Sequence, residues 1–232
     1  ASHGTHVAGL IAAERSNNIG ARGIASNCVE IMSVRTVPDG DERDLDIANA
    51  IHYAVDNGAN IINMSFGKEL SPHKAEVDAA IRYAAEKNVL IVHAAGNDSE
   101  NNDEVNNFPN PIYLQGGRAE NYLTVGASSI SKKKDLIAEF SNYGKEEVDL
   151  FAPGKEVYST MPDNAYKMQS GTSMASPVAV GVAALVWAYH PELTAIELKQ
   201  LLMDSCTNLS RKKVKMPGDK SKIRFGELSQ TG

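Results

Sequence analysis

Ser173 sits in the run Gly171-Thr172-Ser173-Met174-Ala175-Ser176-Pro177, behind a glycine and at the head of a small, apolar stretch that reads as a buried helix. A serine there is exposed and lies near the positive end of the helix dipole. A carbonyl attacked at that point becomes an oxyanion beside backbone N–H donors, which suits a nucleophile. The same placement suits a simple N-cap serine, but the flanking small residues let a substrate backbone come close. A nucleophilic serine needs a base. Of the six histidines, His3 opens a glycine-containing helix whose mouth its ring can leave, and His6 lies one turn on, on the same side. His52 and His73 stand in polar surroundings and read as solvated. His93 ends a strand and reads as a buried, satisfied histidine. His190 precedes Pro191 at a helix end, where a cation suits the dipole.

Chain order separates the reaction classes. An α/β-hydrolase runs Ser, acid, His. After Ser173 the only histidine is His190, with no Asp or Glu between them, which disfavours that class. His3-Gly4-Thr5-His6 lacks the Glu of the H-E-x-x-H zinc pattern, so no metal is assigned to the pair.

The elements that must hold these residues alternate in type. Helices are expected over 3–14 with Ser2 as N-cap, over 44–55 with Gly58 as C-cap, and through Val77, Ala80, Ile81 and Ala84. Two more follow over 173–189 and, capped by Thr194, over 194–203. Strands are expected at 29–34, at 61–64 ending in Ser65-Phe66-Gly67, and at 89–92, 122–127 and 148–151. Residues 97–121 read as a long loop and the basic 210–222 as a surface loop. This spacing predicts an α/β fold with a mostly parallel sheet, whose sites lie at the carboxyl ends of strands. Ser65, Asn97 and Ser173 fall at those ends. The chain has 232 residues, enough for one large domain or two small ones, and no linker or repeat divides it. Its formal net charge of −6 argues against nucleic acid as a partner. No apolar run approaches the ~18–20 residues of a membrane helix, so no transmembrane segment is expected. Cys28 and Cys206 are expected to be buried free thiols, with pairing left open.

Four motifs now carry a family resemblance. His3-Gly4-Thr5-His6-Val7-Ala8-Gly9 and Gly171-Thr172-Ser173-Met174-Ala175-Ser176-Pro177 closely resemble the histidine and serine motifs of subtilisin-like serine proteases, the subtilases. Ala94-Ala95-Gly96-Asn97 resembles that family's oxyanion segment, and Met64-Ser65-Phe66-Gly67 its substrate-binding strand. The resemblance implies a three-layer subtilisin-like fold with a mostly parallel sheet flanked by helices. It also implies a monomeric endopeptidase that cuts protein or peptide substrates through an acyl-enzyme, outside the cell or in the periplasm. Under it, His3 is general base and acid, Ser173 the nucleophile, and the Asn97 amide with the Ser173 N–H the oxyanion donors. Ser65, Phe66, Gly67 and Gly96 would offer backbone to an extended substrate, with Asp39 and Gly40 on the opposite wall. No cofactor is required. Structural calcium is left open, because the Asn/Asp-rich 97–107 is equally a solvated turn.

The departure from the family pattern is the triad acid, which the family carries on a strand upstream of the histidine. Only Ala1 and Ser2 precede His3 here. The expectation is therefore a partial peptidase domain over 1–232, cut at the N-terminus and at the C-terminus. It lacks the Asp-bearing strand, and the Asp comes from a segment outside this chain. Loss of that Asp costs about 3 × 10⁴ in kcat in a subtilisin, so residues 1–232 alone should be nearly inactive. The alternative is a non-catalytic, peptide-binding pseudoprotease of the same fold. Val178, where the family often has histidine, carries no functional conclusion. Two acidic stretches, Asp39, Asp41, Glu42 and Asp44, and Asp98, Glu100, Asp103 and Glu104, read either as solvated loops or as a preference for basic substrate residues.

Overall fold

A computed structural model describes residues 2–37, 40–131 and 135–232. The elements in chain order are α1 (Ser2–Ala12), α2 (Asp44–Asp56), β1 (Ile61–Met64), α3 (Lys74–Glu86), β2 (Leu90–Ala94), β3 (Tyr122–Ser128) and β4 (Leu150–Pro153). They are followed by β5 (Val157–Met161), β6 (Ala165–Gln169), α4 (Thr172–Tyr189), α5 (Ala195–Asp204), β7 (Lys213–Lys215) and β8 (Lys222–Arg224).

Strands β1 to β4 form one parallel sheet in that order. β2 is buried at every residue and β3 at six of seven, as a sheet covered on both faces requires. Alternation sorts their side chains. Leu90, Val92, Leu123 and Val125 meet α4 and α5 on one face, while Ile91 and Tyr122 meet α2 and α3 on the other. The result is helix, sheet, helix in three layers. α4 packs on all four strands and is the core helix. By length and composition it is also apolar enough to cross a membrane, with 56% of it buried in the fold. The uninterrupted-run criterion missed it, because its hydropathy is spread over many small residues broken by Ser176 and Pro177.

Several expectations need correction. Ser2 is helical rather than an N-cap. Asn57, not Gly58, occupies the C-cap of α2. Residues 29–34 form no strand, with Ile31 and Met32 exposed. β1 is correspondingly an edge strand, its first three residues only half-buried. The antiparallel hairpin β5–β6 was not foreseen. The basic 210–222 is not merely a surface loop, because it contains β7 and the start of β8, and Val214 between the lysines is 0% exposed in a small core with Ile137, Tyr143, Phe225 and Leu228. Both cysteines are free, yet neither is buried: Cys28 is exposed and Cys206 half-buried. Thr194 does cap α5, through a capping box with Glu197.

Candidate active site

The first turn of α4 is pinned to the end of β1 by an unbroken set of hydrogen bonds. Pro177 has no N–H, so the Ser173 carbonyl four residues earlier loses its helical donor. The Ser65 hydroxyl replaces it, donating to Ser173 O at 2.9 Å. In return the Ser173 hydroxyl donates to Ser65 O at 3.2 Å. Asn63 Nδ2 donates to Ser65 Oγ at 2.9 Å, and Ser176 Oγ donates to Asn63 Oδ1 at 2.8 Å. Ser173 is half-buried and second in the helix, where unpaired N–H groups and the helix dipole favour a developing negative charge.

Asn97 is brought to the same place by Thr172. Asn97 Oδ1 accepts from Thr172 N at 2.8 Å and from Thr172 Oγ1 at 3.0 Å. Gly96 N in turn donates to Thr172 Oγ1 at 3.1 Å. With its oxygen held, the Asn97 amide keeps its N–H₂ as the free end. Gly96 has φ +112, and a Cβ there would lie 2.4 Å from Asn142 Nδ2, so only glycine fits. Asn142 is itself 2% exposed and grips this loop: its N donates to Gly96 O, and its Oδ1 accepts from Asp98 N at 2.8 Å and Glu100 N at 3.1 Å.

His3 is exposed in the first turn of α1, a helix that packs on α4 and β5. Positions 3, 7 and 10 share one helix face, and Val7 and Leu10 pack on Met174, the residue after Ser173. That contact turns the His3 face of α1 toward the head of α4. No hydrogen bond joins His3 to Ser173 among the described residues. Partial desolvation and the neighbouring His6 hold the His3 imidazole below its usual value of 6.5, so at neutral pH it is a proton acceptor. His6 is buried, its Nε2 3.0 Å from Lys167 O, and its Nδ1 has no partner. Ser159 Oγ donates to His6 O and Thr160 Oγ1 to Thr5 O, so the hairpin β5–β6 carries the histidine helix. What the arrangement supplies is a serine hydroxyl in the first turn of a helix, a neutral imidazole on an adjoining helix, and a side-chain amide whose oxygen is held.

The pattern of the Subtilase family matches residues 1–226. The chain belongs to the subtilase family. It is 40% identical over 210 residues to the thermophilic serine proteinase of Bacillus sp. (strain AK1), covering 90% of this chain and 48% of that protein. It is 39% identical over 212 residues to the halolysin-like extracellular serine protease of Natrialba magadii, covering 90% of this chain and 35% of that protein. The chain thus spans half or less of these two relatives. Among solved structures it resembles sphericase, with a TM-score of 0.79 and 29% identity over 98% of this chain and 77% of that one. The fold is the three-layer subtilisin-like α/β fold.

Within this subtilase fold the residues singled out above fall into three groups. Ser65, Gly96, Asn97 and Ser173 are joined directly or through Thr172. Phe66 is half-buried, edge-on to His93, whose Nε2 is 2.7 Å from Phe66 O. Gly67 is exposed beside Asn107. Gly40 is exposed with no atom near its Cβ position, and Asp39 lies outside the described residues. The acidic stretches are partly spent on structure. Burial alone would raise the Asp44 pKa, but Lys68, His73 N–H and Ser71 together hold it below the usual carboxylate value. Asp103 accepts from the N–H groups of Lys145, Glu146 and Glu147. The residues missed by sequence reasoning are Asn63, Asn107, Asn142 and Thr172. Only Thr172 had a signal, its place beside Ser173. Among the described residues no group of three or more His, Cys, Asp or Glu gathers to hold a metal.

Proposed function

We propose that this chain is the greater part of a serine endopeptidase domain, with Ser173 as nucleophile, His3 as general base and then acid, and the Asn97 amide with the Ser173 N–H as oxyanion donors. The observation that carries the reading is the pair of bonds from Thr172 to Asn97 Oδ1. They hold the amide oxygen beside the residue that precedes Ser173 and leave the N–H₂ to meet the charge that an attacked carbonyl would develop. His3 would accept the Ser173 proton and return it to the leaving amine. The resting bond from Ser173 Oγ to Ser65 O must break first. Ser65, Phe66, Gly67, Gly96, Asp39 and Gly40 are proposed to line the path of an extended peptide.

The acid that orients the imidazole is proposed to come from a segment outside this sequence. The edge position of β1 and its half-buried residues support it, since an edge strand can take a further neighbour. Export from the cell is proposed with it, on the kinship to an extracellular relative. The bond from Ser173 Oγ to Ser65 O favours the second reading, a peptide-binding pseudoprotease. Labelling with a fluorophosphonate, which reacts only with an activated serine, separates the two. The intact protein is expected to label, Ser173→Ala is not, and residues 1–232 alone should label far more slowly. No labelling of the intact protein means a pseudoprotease. Equal labelling of the intact protein and of residues 1–232 removes the missing acid.

A further inference from the structure

We infer that the outer face of the β7–β8 hairpin, with Ile130 beside it, docks on an anionic lipid surface. The inference is independent of the protease reading. Residues 211–224 hold seven of the chain's 23 Lys and Arg and a single acid, Asp219, in a chain whose formal net charge is −6. The hairpin sorts these charges by alternation. Val214 is 0% exposed and Ile223 is half-buried, and both pack inward with Ile137, Tyr143, Phe225 and Leu228. Lys213, Lys215, Lys222 and Arg224 are left on the opposite face. In register, Lys213 stands directly across from Arg224 and Lys215 across from Lys222. Like charges directly opposite one another weaken a ladder, so this face opposes the fold that displays it and calls for anions. One acid answers from within the chain: Asp135 Oδ1 lies 2.5 Å from Lys215 Nζ. The turn's own acid, Asp219, is engaged by the N–H groups of Lys220 and Ser221. Lys213, Lys222 and Arg224 are exposed and make no ion pair among the described residues.

Ile130 points to lipid rather than to a soluble polyanion. It is 96% exposed, more than any other large apolar side chain among the described residues. Its loop is closed by Ser129 N donating to Leu136 O and by Ser129 Oγ donating to Asp135 O. The ion pair from Asp135 to Lys215 ties that loop to β7, so the isoleucine stands beside the cationic face. A phosphate chain in water offers such a side chain nothing. At a bilayer it leaves water while the neighbouring cations meet lipid phosphates. Geometry favours a surface as well. A membrane touches one side of the protein, and salt screens the acids elsewhere within about 8–10 Å. A long polyanion would have to run past them. The Ile130 loop leaves the carboxyl end of β3, the end of the sheet at which Ser65, Asn97 and Ser173 also lie. Docking there brings that end of the sheet toward the lipid.

The test is co-sedimentation of the intact protein with lipid vesicles at about 0.15 M salt. Vesicles of phosphatidylcholine and phosphatidylglycerol in equal parts should bind the wild type at least about tenfold more tightly than pure phosphatidylcholine. One cation near such a surface changes partitioning about fivefold, so Lys213→Gln, Lys222→Gln and Arg224→Gln together should weaken binding about 100-fold. The urea midpoint of this triple variant should hold or rise, because the cross-strand repulsion is gone. That readout separates lost docking from lost folding. Ile130→Ser should weaken vesicle binding at least about threefold and leave any binding to soluble polyphosphate unchanged. A wild type without preference for the anionic vesicles, or a folded triple variant that binds them as the wild type does, overturns the proposal. Vesicle binding that Ile130→Ser does not alter, matched by equal binding to polyphosphate, marks a general polyanion site and overturns the lipid assignment.

Discussion

Three asparagines hold the surroundings of Ser173, and a motif announces only one of them. Asn97 is legible in sequence, through the run Ala94-Ala95-Gly96-Asn97. Asn107 and Asn142 are not, because a side-chain amide bonded to a backbone carbonyl or N–H leaves no periodic trace. It needs only two segments to meet. Asn142 acts one step removed from the chemistry, as a positioning residue for the loop that carries Asn97. Under the proposed function, Asn142→Ala is expected to lower kcat of the intact protein by about 10- to 100-fold with KM within about threefold, the cost of slight misplacement of the proposed oxyanion donor. It should not exceed the roughly 10²–10³ lost on removing the oxyanion asparagine itself, the range known from a subtilisin. Kinetics normalised by active-site titration decide the matter: a purely structural role would reduce the number of active molecules and leave kcat per site unchanged.

The parallel ladder, the core helix α4 and the capped α5 were legible as elements because their apolar periods and end signals agree. Residues 29–34 have the composition of a strand, but a strand also needs a neighbour to bond, and no ladder among the described residues includes them. The hairpin β5–β6 was overlooked although Pro162-Asp163-Asn164 marks its turn; Asp163 and Asn164 take φ of +61° and +56°, which these residue types tolerate better than most. β7 hid its one buried valine inside a basic run, where charge outweighed period. The hairpin β5–β6 matters because it seats the histidine helix. Gly9 is where the two meet, and a Cβ there would lie 2.1 Å from Thr160 Oγ1 and 2.5 Å from Ser159 Oγ. Gly9→Ala should therefore destabilise the protein by about 1–3 kcal/mol, the usual cost of overpacking, read as a fall in the urea midpoint. Thr160→Ala, which deletes the nearer oxygen, should recover part of it.

At the scale of the molecule, one buried base contributes to how the fold meets acid. His93 is 1% exposed at the centre of the sheet, and burial lowers its pKa to about 4 despite the bond to Phe66 O. Above pH 6.5 the imidazole is neutral in folded and unfolded chains alike. As pH falls from 6.5 toward 4, the unfolded chain takes a proton that the folded one refuses, so stability is lost with falling pH. The full loss is about 3 kcal/mol. Urea midpoints of wild type and His93→Gln between pH 7 and pH 4 should diverge accordingly, with the glutamine variant lacking this share of the acid slope.

The bonds that assemble the site join residues far apart along the chain: Ser65 to Ser173 across 108 positions, and Asn97 to Thr172 across 75. Loops of that length must close before any of these bonds can form. Neither half of the polypeptide holds a working constellation, and a nascent or partly unfolded chain has none either. Under the proposed function, a chain built this way becomes armed only once its own backbone is folded, so a nascent copy cannot cut itself or its neighbours.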